Sequence, residues 1–165
     1  MAGLSPEERV DTEQAPGRGM RVDFDSSVGF WLTSLANKLS IAASRRLRAR
    51  LDVGLMEWRV VALLAVEGQA TPARIGQVAG VDKSVVSRAV ASLERRGLVL
   101  VHPEAQAGRQ TRLTLTPDGQ SLHDRGIVGV LDAEGELLQG LSPDERGVLL
   151  ELLKRLAGNV ARMEA

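Results

Sequence analysis

Five side chains within six consecutive positions, Lys83, Ser84, Val85, Ser87 and Arg88, carry the chemistry to read the edges of base pairs. An arginine can bond to guanine O6 and N7 at once, which is worth about 1–3 kcal/mol of discrimination between bases, and a valine can touch a thymine methyl. Arg74, Arg95 and Arg112 are suited to phosphate, where a contact positions the protein without regard to sequence. Gly108 before Arg109 would let the backbone come close to a sugar-phosphate edge, with Arg109 reaching beyond it. Solvation of an ordinary helix face is the plainer reading of such charges. A sharp turn before them at Gly80–Asp82 and a basic hairpin after them weigh against it.

Those residues need a frame, and the local signals supply one. Thr71 followed by Pro72 predicts a short helix ending near Ala79-Gly80, because the threonine oxygen caps a free N–H and proline at the first helical position has none to leave unpaired. Asp82 is placed to cap a second helix that Gly97 ends, with Val86, Ala89, Val90 and Leu93 on one face and Lys83, Ser84, Ser87, Arg88, Ala91 and Arg95 on another. Leu98–His102 and Thr111–Leu115 read as two paired strands. Two short helices followed by a basic hairpin form the layout of a winged helix-turn-helix, which puts one helix in a major groove and the hairpin beside it.

On either side the apolar pattern is helical. Val28, Leu32, Leu35, Leu39, Ala43, Leu47 and Leu51 make one stripe, and Gly54 opens a helix over Leu55–Val66 that is too apolar for a surface element. Thr116-Pro117 starts another helix, and Ser142 with Glu145 forms a capping box ahead of a stripe running from Leu149 through Leu152, Leu153, Leu156 and Val160 to Met163. The predicted organisation is a disordered arm over 1–27, a dimerisation helix over 28–54, a DNA-binding lobe over 55–116 and dimerisation helices over 117–165.

Composition narrows the classes further. The 165 residues carry 21 basic and 21 acidic side chains, yet 71–112 holds seven of the basic groups and three of the acidic, while 113–165 holds five and nine. A neutral chain can therefore present a positive face, since attraction to phosphate is local and is screened over about 8 Å at physiological salt. With no cysteine there is no disulfide or thiolate metal site, and His102 and His123 are too few for a metal centre, so neither metal nor cofactor is expected. Acids through the first 25 residues exclude a signal peptide, and no apolar run approaches a membrane span, from which a cytoplasmic location without membrane contact is expected. No nucleophile elbow, phosphate-binding glycine loop or metal-ligand motif supports an enzyme.

The order of these elements resembles the MarR family of winged-helix transcriptional regulators. The resemblance runs from about Val28 to Arg162 and rests on Glu57-Trp58-Arg59-Val60-Val61, Asp82 through Arg88, Leu93 through Val99, and Leu113 through Gly119. It implies a mainly α fold with long N- and C-terminal dimerisation helices, a two-stranded β wing, and a homodimer that sets one recognition helix in each half of a palindromic operator on double-stranded DNA. Half-sites about 10 base pairs apart follow from dimer symmetry. In this family the helices holding Trp31 and Trp58 border an effector pocket, so the two indoles could stack a small aromatic or acidic ligand with Arg59 as carboxylate anchor; core packing is the simpler role for both. Two departures concern the wing, where the family carries an acid at the position of Ala107 and a basic residue at that of Val101. The resulting expectation is a repressor released by a small molecule, with a protein-interaction module that pairs acidic partners as the alternative.

Overall fold

A computed structural model describes residues 23–103 and 111–163. The elements in chain order are α1 (Val28–Leu51), α2 (Leu55–Glu67), β1 (Gln69–Ala70), α3 (Pro72–Ala79), α4 (Lys83–Arg95), β2 (Val99–His102), β3 (Arg112–Leu115), α5 (Pro117–Leu137) and α6 (Pro143–Met163). The chain divides into two units, one up to Leu39 and one from Ser40 onward, with α1 contributing to both.

In the first unit Ser27 opens α1, its hydroxyl accepting from the Phe30 amide at 3.3 Å. Phe24 and Phe30 pack ring to ring at 4.8 Å, and the Trp31 indole N–H donates to the Asp25 carbonyl at 3.1 Å. Residues 1–22 of the predicted arm lie outside the described residues.

The core of the second unit gathers one face from each of α2, α3 and α4 with both hairpin strands. Val60, Val61, Leu64, Ile75, Val86, Leu93, Val99 and Leu113 are among its most deeply buried side chains. Each contributing element begins or ends on a local signal. The Thr71 hydroxyl accepts from the Arg74 amide at 3.1 Å, and Thr116 caps α5 in the same way through the Gly119 amide at 3.0 Å. Gly54 caps α2 without a side chain: the Glu57 carboxylate reaches back to the Gly54 amide at 2.6 Å. Asp82 has the extended backbone of an N-cap but its carboxylate makes no cap bond, so its contribution to α4 is charge near the positive end of the helix dipole.

The expected two-stranded wing is part of a three-stranded antiparallel sheet in the order β1-β3-β2. Gly68, at φ +73, turns the chain out of α2, and the two extended residues before the Thr71 cap pair with β3, Gln69 opposite Thr114 and Ala70 opposite Leu113. This anchors the inner strand of the wing to the lobe.

Helix α5 crosses α2 at Gly126, where an added Cβ would lie 2.6 Å from Trp58 Cη2 and 2.7 Å from Leu51 Cδ1. Gly126→Ala should therefore cost about 2 kcal/mol by overpacking, read as a lower urea midpoint and a changed near-ultraviolet tryptophan signal. An unchanged midpoint would show that the indole can move aside freely.

Candidate nucleic-acid interface

Helix α4 is two-faced as its sequence requires. Val86, Ala89, Val90 and Leu93 are buried against the lobe, while Lys83, Ser84, Ser87, Arg88, Ala91 and Arg95 are exposed and Val85 is half-buried at the boundary. The turn that presents it is tight. Gly80 is left-handed at φ +63 and its amide closes α3 on the Gly76 carbonyl; a Cβ on Gly76 would stand 3.1 Å from the Val81 carbonyl oxygen, so glycine lets the two helices meet closely.

Charge is distributed unevenly among the predicted contact residues. Lys83, Arg88, Arg95 and Arg112 have no ion-pair partner among the described residues, so their charge is available to a ligand. Arg74 differs. Its guanidinium is held by Glu67 at 2.8 Å and 3.1 Å, and this hydrogen bond, with the attraction of the two charges, raises its pKa above the usual arginine value. A phosphate would have to compete with that carboxylate. Arg112 is exposed on β3 opposite His102, whose Nε2 lies 2.8 Å from the Thr114 hydroxyl. Arg109 lies outside the described residues.

The predicted effector residues fall in different settings. Trp58 is 5% exposed and belongs to the core, as its simpler role required. One edge of it, with Arg59, Ala62, Leu63, Ile75 and Val78, lines an open, mainly apolar groove of about 450 Å³ between α2 and α3. Trp31 is 52% exposed in the N-terminal unit. His123, assigned no role from sequence, lies flat on Trp58 with ring centres 5.8 Å apart and planes within 2°. The pairing joins α5 to α2, and no local pattern could have announced it. No group of His, Cys, Asp or Glu among the described residues could hold a metal ion, and no described helix is long and apolar enough to cross a membrane.

A second open cleft, of about 540 Å³, separates one edge of α4 from the corner between α1 and α2. Val85, Arg88 and Ser92 line one wall, Arg48, Asp52 and Glu57 the other. Arg96 donates across this cleft to the Asp52 carbonyl at 2.9 Å.

A short capped helix, a glycine turn, a helix with a free cationic face and a following strand pair define a winged helix-turn-helix protein. The sequence profile of the MarR family matches residues 51–110. A MarR/EmrR family transcriptional regulator from Acinetobacter sp. ADP1 is similar over 86% of this chain and 99% of its own, with 28% identity and a TM-score of 0.80. The PcaV transcriptional regulator of Streptomyces coelicolor, solved with its natural ligand, is similar over 84% of this chain and 96% of its own at 27% identity and a TM-score of 0.69. MepR of S. aureus, solved as a DNA complex, shares the fold at 17% identity over 82% of this chain and 98% of its own, with a TM-score of 0.71. Within the winged-helix class, this chain is similar to the MarR family, whose profile it matches in the DNA-binding lobe and whose regulators share its fold.

Proposed function

We propose that this protein is a sequence-specific DNA-binding transcriptional regulator, a homodimeric repressor that leaves a palindromic operator when a small molecule binds. The observation that carries the reading is the outer face of α4, where Lys83, Ser84, Ser87 and Arg88 are all exposed while the opposite face is buried. In this reading Arg88 reads guanine, Val85 meets a thymine methyl, and Arg95 and Arg112 bind phosphate. Arg109 supplies the wing's contact, and Arg74 joins once it exchanges Glu67 for a phosphate.

Dimerisation is supported by what α6 leaves uncovered. None of its side chains is buried, and Leu149, Leu152, Leu153 and Val160 stand exposed along it, an apolar stripe of the kind that marks an interface. We assign 28–54 and 117–165 to the subunit contact and 55–116 to DNA.

Release requires a ligand that prefers a spacing of the two recognition helices unfit for the operator, because equal affinity for both states shifts nothing. The ligand bound by PcaV supports this part of the reading. An aromatic or acidic effector would use the Trp58–Arg59 groove. A regulator of this kind acts in the cytoplasm and needs no catalytic group.

Titrating duplex binding against salt tests the function. Affinity should fall with a log-log slope of about −0.9 per phosphate contacted, and a chain that ignores every duplex at low salt refutes it. Arg88→Ala should cost about 1–3 kcal/mol and relax preference at one base position. An unchanged footprint and affinity would remove Arg88 from base contact.

A further inference from the structure

We propose that Arg96 is a positioning residue for DNA reading: it ties the recognition helix to the C-terminus of α1 and so fixes the direction in which Arg88 is presented. The inference rests on the DNA-binding reading above and adds a residue that does not itself touch DNA.

Arg96 stands at the C-cap of α4, its amide closing on the Ser92 carbonyl at 3.2 Å. Its side chain does not turn outward like that of Arg95. One guanidinium nitrogen donates to the Asp52 carbonyl at 2.9 Å and lies 3.9 Å from the Glu57 carboxylate, while the other lies 3.8 Å from the Asp52 carboxylate. Asp52 is the residue just past α1, left-handed at φ +54, with its amide bonded to the Arg48 carbonyl at 3.1 Å. Carbonyls at a helix C-terminus lack intrahelical partners and form the negative end of its dipole, so a guanidinium is the natural group to cap them. The Arg96 side chain is 35% exposed and Glu57 only 16%, so the bond is partly shielded from solvent.

What this bond spans gives it leverage. Val85, Arg88, Ser92 and Arg96 line one edge of α4, and that edge faces α1 and α2 across the open cleft. Burial of Val86, Ala89, Val90 and Leu93 holds the helix to the lobe but leaves Arg88, at this edge, exposed. Arg96 follows Arg88 by eight residues, about 12 Å along the axis at 1.5 Å per residue. A small swing about the buried face therefore displaces the Arg88 fork, and a two-point bond to guanine is sensitive to angle. A phosphate contact tolerates the same swing. Losing the tether should reduce discrimination and spare the electrostatic component of binding.

The test uses the full chain, a preferred duplex selected from random-sequence DNA, and an unrelated duplex of equal length, each titrated across salt. Arg96→Ala should lower the ratio of the two affinities about tenfold with an unchanged salt slope. Arg96→Lys, which keeps the charge and a donor but loses the rigid fork, should fall between wild type and Arg96→Ala. Asp52→Gly, which keeps the carbonyl and suits a left-handed backbone, should leave the ratio as it is.

A ratio that survives in Arg96→Ala, or a slope reduced by about 0.9 with the ratio kept, overturns the inference, the latter by making Arg96 a phosphate contact. If the alanine variant does not fold, Arg96→Lys decides: a reduced ratio at constant slope supports the tether, and an unchanged ratio overturns it. A wild-type chain without any preference between duplexes overturns the DNA-binding reading and this inference together, whereas a wild-type preference that persists in the variants overturns this inference alone.

Discussion

Gly119→Ala is expected to destabilise the lobe by about 3 kcal/mol, at the upper end of what one added methyl costs in a packed site. For a chain of this length that corresponds to a fall of about 6–12 °C in Tm. The added Cβ would sit inside van der Waals contact of the Leu98 carbonyl oxygen and 3.1 Å from its carbon. Neither backbone can retreat cheaply. The Leu98 oxygen already accepts the Thr116 amide at 3.1 Å, and the Thr116 hydroxyl donates to the Gly97 carbonyl at 2.7 Å while capping α5 through Gly119. Alanine's better helix propensity returns at most about 1 kcal/mol, so the clash decides the sign. Gly135→Ala is the control, since a Cβ there meets nothing within 4 Å. It should be neutral or stabilising by up to about 1 kcal/mol. Thermal melts of the two variants check the argument, and a Gly119→Ala protein as stable as wild type would show that the junction of α4, β2 and α5 is looser than its hydrogen bonds imply.

That junction also shows which features of the chain were legible in its sequence. Thr116-Pro117, Thr71-Pro72 and the Ser142–Glu145 box announce helix starts because a cap is satisfied within three residues, and the structure places α5, α3 and α6 where they predict. The two faces of α4 were readable for the same local reason, since helical spacing alone separates Val86, Val90 and Leu93 from Ser84, Ser87 and Arg88. The strand Gln69–Ala70 was not, because two residues carry no periodicity and become a strand only through pairing with β3. Nor were the pairings of Arg74 with Glu67 and of Arg96 with Asp52, or the stacking of His123 on Trp58. Each depends on how elements meet, and a cationic side chain has the same appearance in sequence whether it is held by a carboxylate or left for DNA.

The difference matters for ranking the cations of the interface. Arg88, Arg95 and Arg112, unpaired among the described residues, can meet phosphate or base at little cost. Arg74 must first give up two short bonds to Glu67, and Arg96 is committed to the lobe's own framework. In sequence all five are simply basic residues of one segment. The structure divides them by what each already touches.

Leu152→Arg is expected to separate the subunits, and with them high-affinity operator binding. Leu152 is 47% exposed in the single chain and α6 buries no side chain at all, so an arginine there meets solvent and the chain should fold as before. In the proposed dimer the same position lies in an apolar seam with Leu149, Leu153 and Val160. A guanidinium buried there without a partner costs several kcal/mol, and twofold symmetry imposes that cost on both subunits. A dissociation constant raised by about 10³ or more follows from a loss of roughly 4 kcal/mol. Sedimentation velocity should then show a monomer at concentrations where wild type is a dimer. DNA affinity should fall more for a duplex carrying two half-sites than for one carrying a single half-site, because only the first draws on both recognition helices. A Leu152→Arg chain that still sediments as a dimer would place the subunit contact elsewhere than on α6 and leave its apolar stripe without the partner proposed for it.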